Sequence, residues 1–276
     1  MVKILFIFLL FYTFVSGEEI HQEDSLLTQK IKTFIKESAY KQNKAFIDII
    51  FSPNSNFYTQ NRVDVVKVAQ TLKDNGLLNL FFSKPQELKL TFKTTASPQF
   101  FVKIMGDSLE NMGYYRYVTT ESNLNSSQFT WSIVLNSEYA TDPVILQKEL
   151  NKSSCKITDI QKNSATDWEY TIDLSNANLA VETLKAGTEF ELKRSLNPHW
   201  LDVSTLKTLK ITSSSKNSWY PHIVYYDASL NLLEVIKQDE KTTSMMLEIP
   251  GHSKYIKISD LYSLKNIKDD LLLSPN

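Results

Sequence analysis

The sequence contains little cysteine, glycine or proline: one Cys, 6 Gly and 8 Pro in 276 residues. The single cysteine, Cys155, cannot form an internal disulfide, and alone it excludes the thiolate arrays of zinc and iron–sulfur sites. The low glycine and proline content argues against collagen-like or linker-rich chains and is typical of a folded protein. The chain must therefore be stabilised by ordinary hydrophobic cores.

The sequence also lacks a strong charge of either sign. It has 30 Lys and Arg against 31 Asp and Glu, a net charge of −1, and no basic run longer than two residues. This balance argues against a nucleic-acid partner. The length exceeds that of a usual single domain, so we expect two or more.

One apolar run lies at the N-terminus and is too short to span a bilayer. Lys3 precedes apolar residues 4–14, small residues follow as far as Gly17, and two glutamates come next. This order predicts a signal peptide over residues 1–17, cleaved after Gly17. We therefore expect a periplasmic or secreted protein with no membrane span in the mature chain. An uncleaved N-terminal anchor is the alternative.

Hydrophobic periodicity predicts a helix followed by two strands, three times in succession. An amphipathic helix over 25–41 and a buried strand over 45–51 come before this pattern. The predicted helices cover 62–75, 97–113 and a segment beginning at 142, and the predicted strands cover 77–83, 87–95, 114–121, 128–136, 155–161 and 168–174.

The ends of the three predicted helices align. Leu72 and Gly76 match Leu109 and Gly113, and Leu150 begins a looser third copy that has Ser154 at the glycine position. We interpret the pattern as a repeated αββ unit, or as a βαββ unit in which the strand over 45–51 serves the first copy. An ordinary α+β domain without duplication is the alternative.

After a short helix predicted over 178–186, the pattern changes to many short strands with little helix, which predicts a β-sandwich. The expected fold class is α+β: repeated αββ modules, each a small antiparallel sheet with helices on one face, followed by a C-terminal β-sandwich-like domain. The expected divisions after the signal peptide are an N-terminal α/β module at 18–96, a second αββ-repeat module at 97–186 and a C-terminal β-rich domain at 187–276.

Residues 106–109 spell GDSL, the first signature block of the GDSL esterases and lipases, whose serine is the nucleophile. The other blocks are missing: no G-x-N-D segment follows, and His199, His222 and His252 have no Asp three residues before them. The helical periodicity also places Ser108 in the middle of a helix. We therefore expect no enzyme, with a GDSL-like hydrolase as a minor alternative.

No other motif indicates chemistry. The sequence has no H-x-x-x-H, P-loop, dinucleotide-binding or G-x-S-x-G pattern. These patterns place metal ligands, phosphate-binding amides or an activated serine at fixed spacing. We expect neither a metal nor a cofactor.

Aromatic residues are the remaining candidates for a binding surface. Trp200, Trp219 and Tyr220 lie at loops and strand starts of the predicted sandwich, where flat rings can bind a glycan or a protein. The alternative is that Trp219 fills the core of the sandwich. Tyr115 and Tyr117 alternate along a predicted strand and form a second candidate pair.

The layout combines a signal peptide, αββ units rich in Lys, Asn and Ser, and a β-rich end. It resembles uncharacterised secreted or periplasmic proteins of the Campylobacterales. The resemblance implies an exported multi-domain protein used for interaction, and it carries over no site residues.

We expect a non-enzymatic protein–protein interaction or envelope and appendage scaffold component. Its partner would be a protein of the envelope or of a host surface, bound through unpaired edge strands. The alternative is a carbohydrate- or cell-wall-binding module that uses the C-terminal aromatics, with a glycan as partner.

Overall fold

The computed structural model describes residues 25–276, and the predicted signal peptide and its cleavage site lie outside them. Within these residues the chain forms six α-helices and sixteen strands, so the fold class is α+β, as predicted. The strands form two five-stranded sheets, one four-stranded sheet and one two-stranded sheet. No helix in this range is long and apolar enough to cross a membrane.

The first part of the chain builds one five-stranded sheet with helices packed on it. The helices are α1 (Leu26–Phe34), α2 (Glu37–Gln42), α3 (Lys44–Ile50), α4 (Val65–Asp74), α5 (Pro98–Asn111) and α6 (Pro143–Asn151). The strands are β1 (Tyr58–Thr59), β2 (Arg62–Val63), β3 (Phe81–Thr94), β4 (Val118–Leu124), β5 (Phe129–Tyr139), β6 (Lys156–Lys162) and β7 (Asp167–Asp173). The sheet order is β4–β5–β3–β7–β6.

Strand β3 is the centre of this sheet, antiparallel to β5 and parallel to β7. Its alternating apolar residues Leu88, Leu90 and Phe92 are completely buried. The Phe92 ring lies 5.7 Å from the Tyr170 ring of β7 and 5.9 Å from the Trp131 ring of β5. The two neighbouring strands therefore contribute rings to one core around β3.

The predicted division at residue 96 falls inside this sheet. Strand β3 precedes that residue, yet its two neighbours in the sheet, β5 and β7, follow it. The three helix-plus-strand units therefore share a single sheet.

Two sequence predictions in this region are wrong. The predicted strand over 45–51 is helix α3, because only Ile47 and Phe51 are buried, one helical turn apart. A short apolar run does not distinguish a buried strand from a helix. The two predicted strands over 77–83 and 87–95 are the single strand β3. Pro85 lies where the pairing with β5 is irregular and before the pairing with β7 begins, a position at which a strand tolerates proline.

The aligned helix ends have one geometry. In each, the residue after a left-handed residue donates its N–H to the carbonyl of a buried leucine five positions earlier, which is the Schellman motif. The three bonds are Leu77 to Leu72 at 2.8 Å, Tyr114 to Leu109 at 2.9 Å and Cys155 to Leu150 at 3.0 Å. The left-handed residues are Gly76, Gly113 and Ser154, with φ of 73°, 89° and 57°.

The second part of the chain forms the predicted β-sandwich. Its strands are β8 (Glu182–Thr183), β9 (Phe190–Leu192), β10 (His199–Asp202), β11 (Thr208–Ser213), β12 (Pro221–Tyr226), β13 (Leu232–Lys237), β14 (Ser244–Glu248), β15 (Tyr255–Asp260) and β16 (Leu271–Pro275). One sheet has the order β13–β12–β15–β10–β8 and the other β14–β11–β16–β9. A separate core lies between the two sheets.

The helix predicted over 178–186 does not form. The segment is tied to the sandwich instead: the Leu179 N–H donates to the Tyr255 hydroxyl at 3.0 Å, and the Leu184 N–H donates to the Asp202 carbonyl at 3.0 Å. Strand β8, between these bonds, pairs in parallel with β10. These tertiary hydrogen bonds replace the ones that a helix would make within the segment.

The third helix end places Ser154 in the left-handed region, and the resulting backbone strain can be tested. An L-residue in the left-handed region is disfavoured by roughly 1–2 kcal/mol, and glycine is not. We expect Ser154→Gly to raise the free energy of unfolding by about 0.5–1 kcal/mol in urea denaturation. Gly113→Ala should lower it by about 1 kcal/mol through the backbone alone, because no atom lies within 4 Å of the added Cβ. Unchanged stability in both variants would contradict the shared geometry.

Candidate functional site

Ser108 has no catalytic surroundings. It lies inside α5 and is buried, and its hydroxyl donates to the carbonyl of Ile104 at 2.8 Å. This bond, one helical turn back, is common for serine in a helix. The preceding Asp107 pairs with Lys103 at 2.7 Å. In the described part of the chain, no histidine or carboxylate bonds to the Ser108 hydroxyl, so no nucleophile–base pair exists there.

Trp219 is a core residue. Its ring is completely buried between the sandwich sheets, and its Nε1 donates to the carbonyl of Ser259 at 3.0 Å. The predicted binding role of Trp219 is therefore wrong, and the alternative that it fills the core is correct. A buried tryptophan normally finds a hydrogen-bond acceptor in this way.

Trp200 joins the sandwich to the N-terminal domain, which is the β4–β5–β3–β7–β6 sheet with its packed helices. It is half-buried against the N-terminal core and stacks on Tyr226, with ring centres 5.0 Å apart. The ammonium groups of Lys103 and Lys257 lie 5.1 Å and 5.8 Å from the centre of the Trp200 ring. Because Lys103 belongs to α5, Trp200 contacts both domains through cation–π and packing interactions.

Other contacts continue this junction. Leu230 and Tyr255 of the sandwich are buried within the N-terminal core. The Ser97 hydroxyl, at the start of α5, donates to the carbonyl of Ser229 at 3.1 Å. The outer face of the β13–β12–β15–β10–β8 sheet is therefore covered at the end that carries Trp200, Tyr226 and Tyr255.

The other predicted aromatics, Tyr220 and the pair Tyr115 and Tyr117, lie apart from Trp200 and Trp219. Tyr220 is half-buried, with its ring edge-on to Tyr262 at 5.1 Å, and its N–H donates to Asp260. Tyr115 is 73% exposed, whereas Tyr117 packs edge-on against Trp131 at 5.8 Å. The structure thus does not bring Trp200, Trp219 and Tyr220 into one platform. Tyr115 and Tyr117 line one shallow cleft beside α5.

An apolar groove of about 850 Å³ lies where α4 and α5 end beside the first residues of β3. Exposed Phe81 and Tyr139 meet edge-on at 6.3 Å on its rim. Lys73 and Asp142 form an ion pair at 2.7 Å in its wall. The groove offers apolar surface and one neutralised ion pair.

Strand β13 is the surface that sequence reasoning missed. It is the outermost strand of its sheet and has no neighbouring strand on its outer side within residues 25–276. Leu232, Leu233 and Val235 are 59%, 40% and 39% exposed. The apolar run predicted a strand, but its position at an edge depends on the tertiary arrangement.

The backbone of β13 presents unused hydrogen-bonding groups. The Gln238 N–H donates to the Pro221 carbonyl at 3.0 Å, which fixes the alternation of the β12–β13 pair. By that alternation the N–H and C=O groups of Glu234 and Ile236 point toward β12, and those of Val235 and Lys237 point outward. The open edge therefore offers donors and acceptors at Val235 and Lys237.

Cationic side chains lie beside this edge on the outer face of the sheet. Lys237 pairs across the strands with His222, and Lys257 pairs with Val224. The pKa of His222 is lowered, first by burial and then by the positive charges of Lys257 and Lys237. Among the described residues, no carboxylate forms an ion pair with Lys237 or Lys257.

No group of three or more His, Cys, Asp and Glu side chains in residues 25–276 is arranged to hold a metal ion. No protein-family model matches the chain, and no curated protein matches its sequence significantly.

The position of Trp219 predicts a large effect on stability. We expect Trp219→Ala to lower the free energy of unfolding by about 3–5 kcal/mol, because it leaves a cavity in the sandwich core. The exposed Tyr115→Ala is the control and should change it by less than about 0.5 kcal/mol. Chemical denaturation followed by circular dichroism measures both. A wild-type stability for Trp219→Ala would show that its ring is not in the core.

Cys155 should be unreactive in the folded protein. Burial, with the charge of Asp173 adding to it, raises the pKa of its thiol to about 12. An unfolded cysteine has a pKa of about 8.5. We therefore expect its reaction with Ellman's reagent at pH 8 to be about a thousandfold slower in buffer than in urea. Because the folded pKa is raised, this thiol also makes stability fall as pH rises above the unfolded value. Rapid labelling of the native protein would contradict its burial.

Proposed function

We propose that the protein is a non-enzymatic interaction component of the bacterial envelope or cell surface, which binds a protein partner by adding a strand at β13. The observation that carries the proposal is the open edge of β13. It combines unused backbone groups with exposed leucine and valine side chains. Main-chain hydrogen bonds give affinity in this mode of recognition, and alternate side chains give specificity.

Exposed apolar edges are uncommon in isolated proteins because they promote unwanted association. The other edges of the described sheets are protected, short or less apolar. The edge strand β14 has five residues, of which Met246 is the one exposed apolar side chain and Glu248 carries a charge. In β4 all seven residues are exposed, but the strand carries a bulge at Thr120 and a charge at Glu121. Strand β6 has α1 and α4 against it, and β8 and β9 contain two and three residues. Strand β13 has six residues and retains an apolar edge.

Export is part of the proposal and rests on the N-terminal sequence. The apolar run over residues 4–14 and the small residues before Glu18 support a periplasmic or secreted location. A single cysteine in an exported chain is consistent with a bacterial protein that does not depend on disulfides.

The absence of catalysis is also proposed, and Ser108 supports it. Its hydroxyl is buried inside α5 and bonded to a backbone carbonyl. The glycan-binding alternative has less support, because Trp219 is buried and Trp200 lies in the domain junction.

A proline at an outward position tests strand addition. Val235→Pro removes an N–H that points away from β12, so it leaves the sandwich hydrogen bonds intact. Val235→Thr is the matched control, since it keeps the N–H and the branched shape. In pull-downs from envelope extracts, we expect Val235→Pro to capture at most about one fifth of the partner that the wild type captures. Val235→Thr should capture wild-type amounts.

Circular dichroism and the thermal midpoint establish that both variants are folded. Equal capture by Val235→Pro, Val235→Thr and wild type would exclude β13 as the binding edge. A complete lack of partners after chemical crosslinking would count against the interaction function itself.

A further inference from the structure

We infer that the segment bound at β13 is an extended peptide in which apolar and acidic side chains alternate, with the acidic ones on the outer face of the sheet. This inference rests on the proposed function and specifies the chemistry of its partner. The charges beside the open edge and the direction of the backbone groups carry it.

An added strand would lie about 4.8 Å beyond β13 and continue both faces of the sheet. On the outer face, its side chains would stand opposite Val235 and Lys237, with His222 next in line behind Lys237. Side chains directly opposite and diagonally opposite on one face interact. Glutamate or aspartate at these positions would therefore lie within reach of Lys237.

Lys257 strengthens the same field from further away. It lies on β15, the second strand inward from β13, and it holds its ammonium group near the Trp200 ring. The Debye length is about 8 Å at physiological salt, so its effect on the added strand should be weaker than that of Lys237.

The nearby acidic groups do not cancel this charge. Asp107 is paired with Lys103, and Asp202 is paired with Lys254 at 3.0 Å. Glu234 lies three residues before Lys237, so its side chain points to the opposite face of the sheet. There it pairs with Tyr225 of the sandwich core. Asp239 and Glu240 lie beyond the strand, in the loop that follows it. The outer face of the edge is therefore positive.

The other face of the edge carries Ile236, which packs against the sandwich core, and Glu234, whose charge disfavours an acidic neighbour. Side chains of the added strand on that face would meet Ile236 and extend the core outward. Acidic residues would be desolvated there without a partner, which is unfavourable. The two faces together select an alternation of apolar and acidic residues.

The test uses fluorescein-labelled peptides that alternate valine with glutamate, or valine with lysine, and fluorescence anisotropy on the full chain. We expect the glutamate peptide to bind and the lysine peptide to bind at least tenfold more weakly, with added salt weakening the former. Lys237→Glu should weaken glutamate-peptide binding about tenfold and Lys257→Glu by a smaller factor. Lys210→Glu on the opposite sheet is the matched charge control and should change it less than twofold.

The outcomes separate this inference from the proposed function. If Val235→Pro removes partner capture while Lys237→Glu has no effect on peptide binding, the edge binds a partner but its acidic character is wrong. Equal binding of both peptides, or no binding of the glutamate peptide to wild type, also overturns the inference. If the chain forms a dimer that Val235→Pro dissociates, the edge belongs to a second copy of the chain and the inference fails. If Val235→Pro leaves partner capture unchanged, both the proposed function and this inference fail.

Discussion

The packing of Trp200 between the two domains determines which part of the sandwich remains open. Trp200 stacks on Tyr226 and receives Lys103 from α5, while Leu230 and Tyr255 enter the N-terminal core. These contacts cover one end of the outer face of the sheet. At the other end, His222 is half-buried, while Lys237 and the edge of β13 are exposed to solvent. The domain junction thus covers the aromatic surface at Trp200 and Tyr226, which would otherwise be a candidate for binding. The edge of β13 remains accessible.

The N-terminal domain can supply this contact because helix α5 is held in place by its buried face and by both of its ends. Its buried face packs on the sheet through Phe101, Ile104 and Leu109, and its C-terminus ends in the Schellman motif at Gly113. Ser97 and Pro98 begin the helix, and the Ser97 hydroxyl bonds to the sandwich at this end. The GDSL segment lies within this helix, so its residues serve packing: Leu109 is in the core, and Ser108 is bonded to the helix backbone.

Local signals in the sequence predicted much of the fold. The spacing of Leu72, Leu109 and Leu150 from a following Gly or Ser identified three equivalent helix ends, because this motif is set within a few residues. The sequence of helix α3 predicts a strand instead, because a seven-residue apolar run has no clear period. The site was less predictable. The burial of Trp219, the junction at Trp200 and the edge position of β13 all depend on which elements meet in three dimensions. An apolar residue at an edge and one in a core have the same letter in the sequence.

The central claim is that a partner strand pairs with the open edge of β13. Site-resolved hydrogen exchange, measured on the free chain and on its complex from envelope extracts, tests this most directly. We expect the Val235 and Lys237 amides, which point outward, to exchange rapidly in the free chain, while the Glu234 and Ile236 amides are protected by β12. In the complex, Val235 and Lys237 should become protected as well. Unchanged exchange at these two amides, with new protection at β4 or at the groove beside Phe81, would contradict the account.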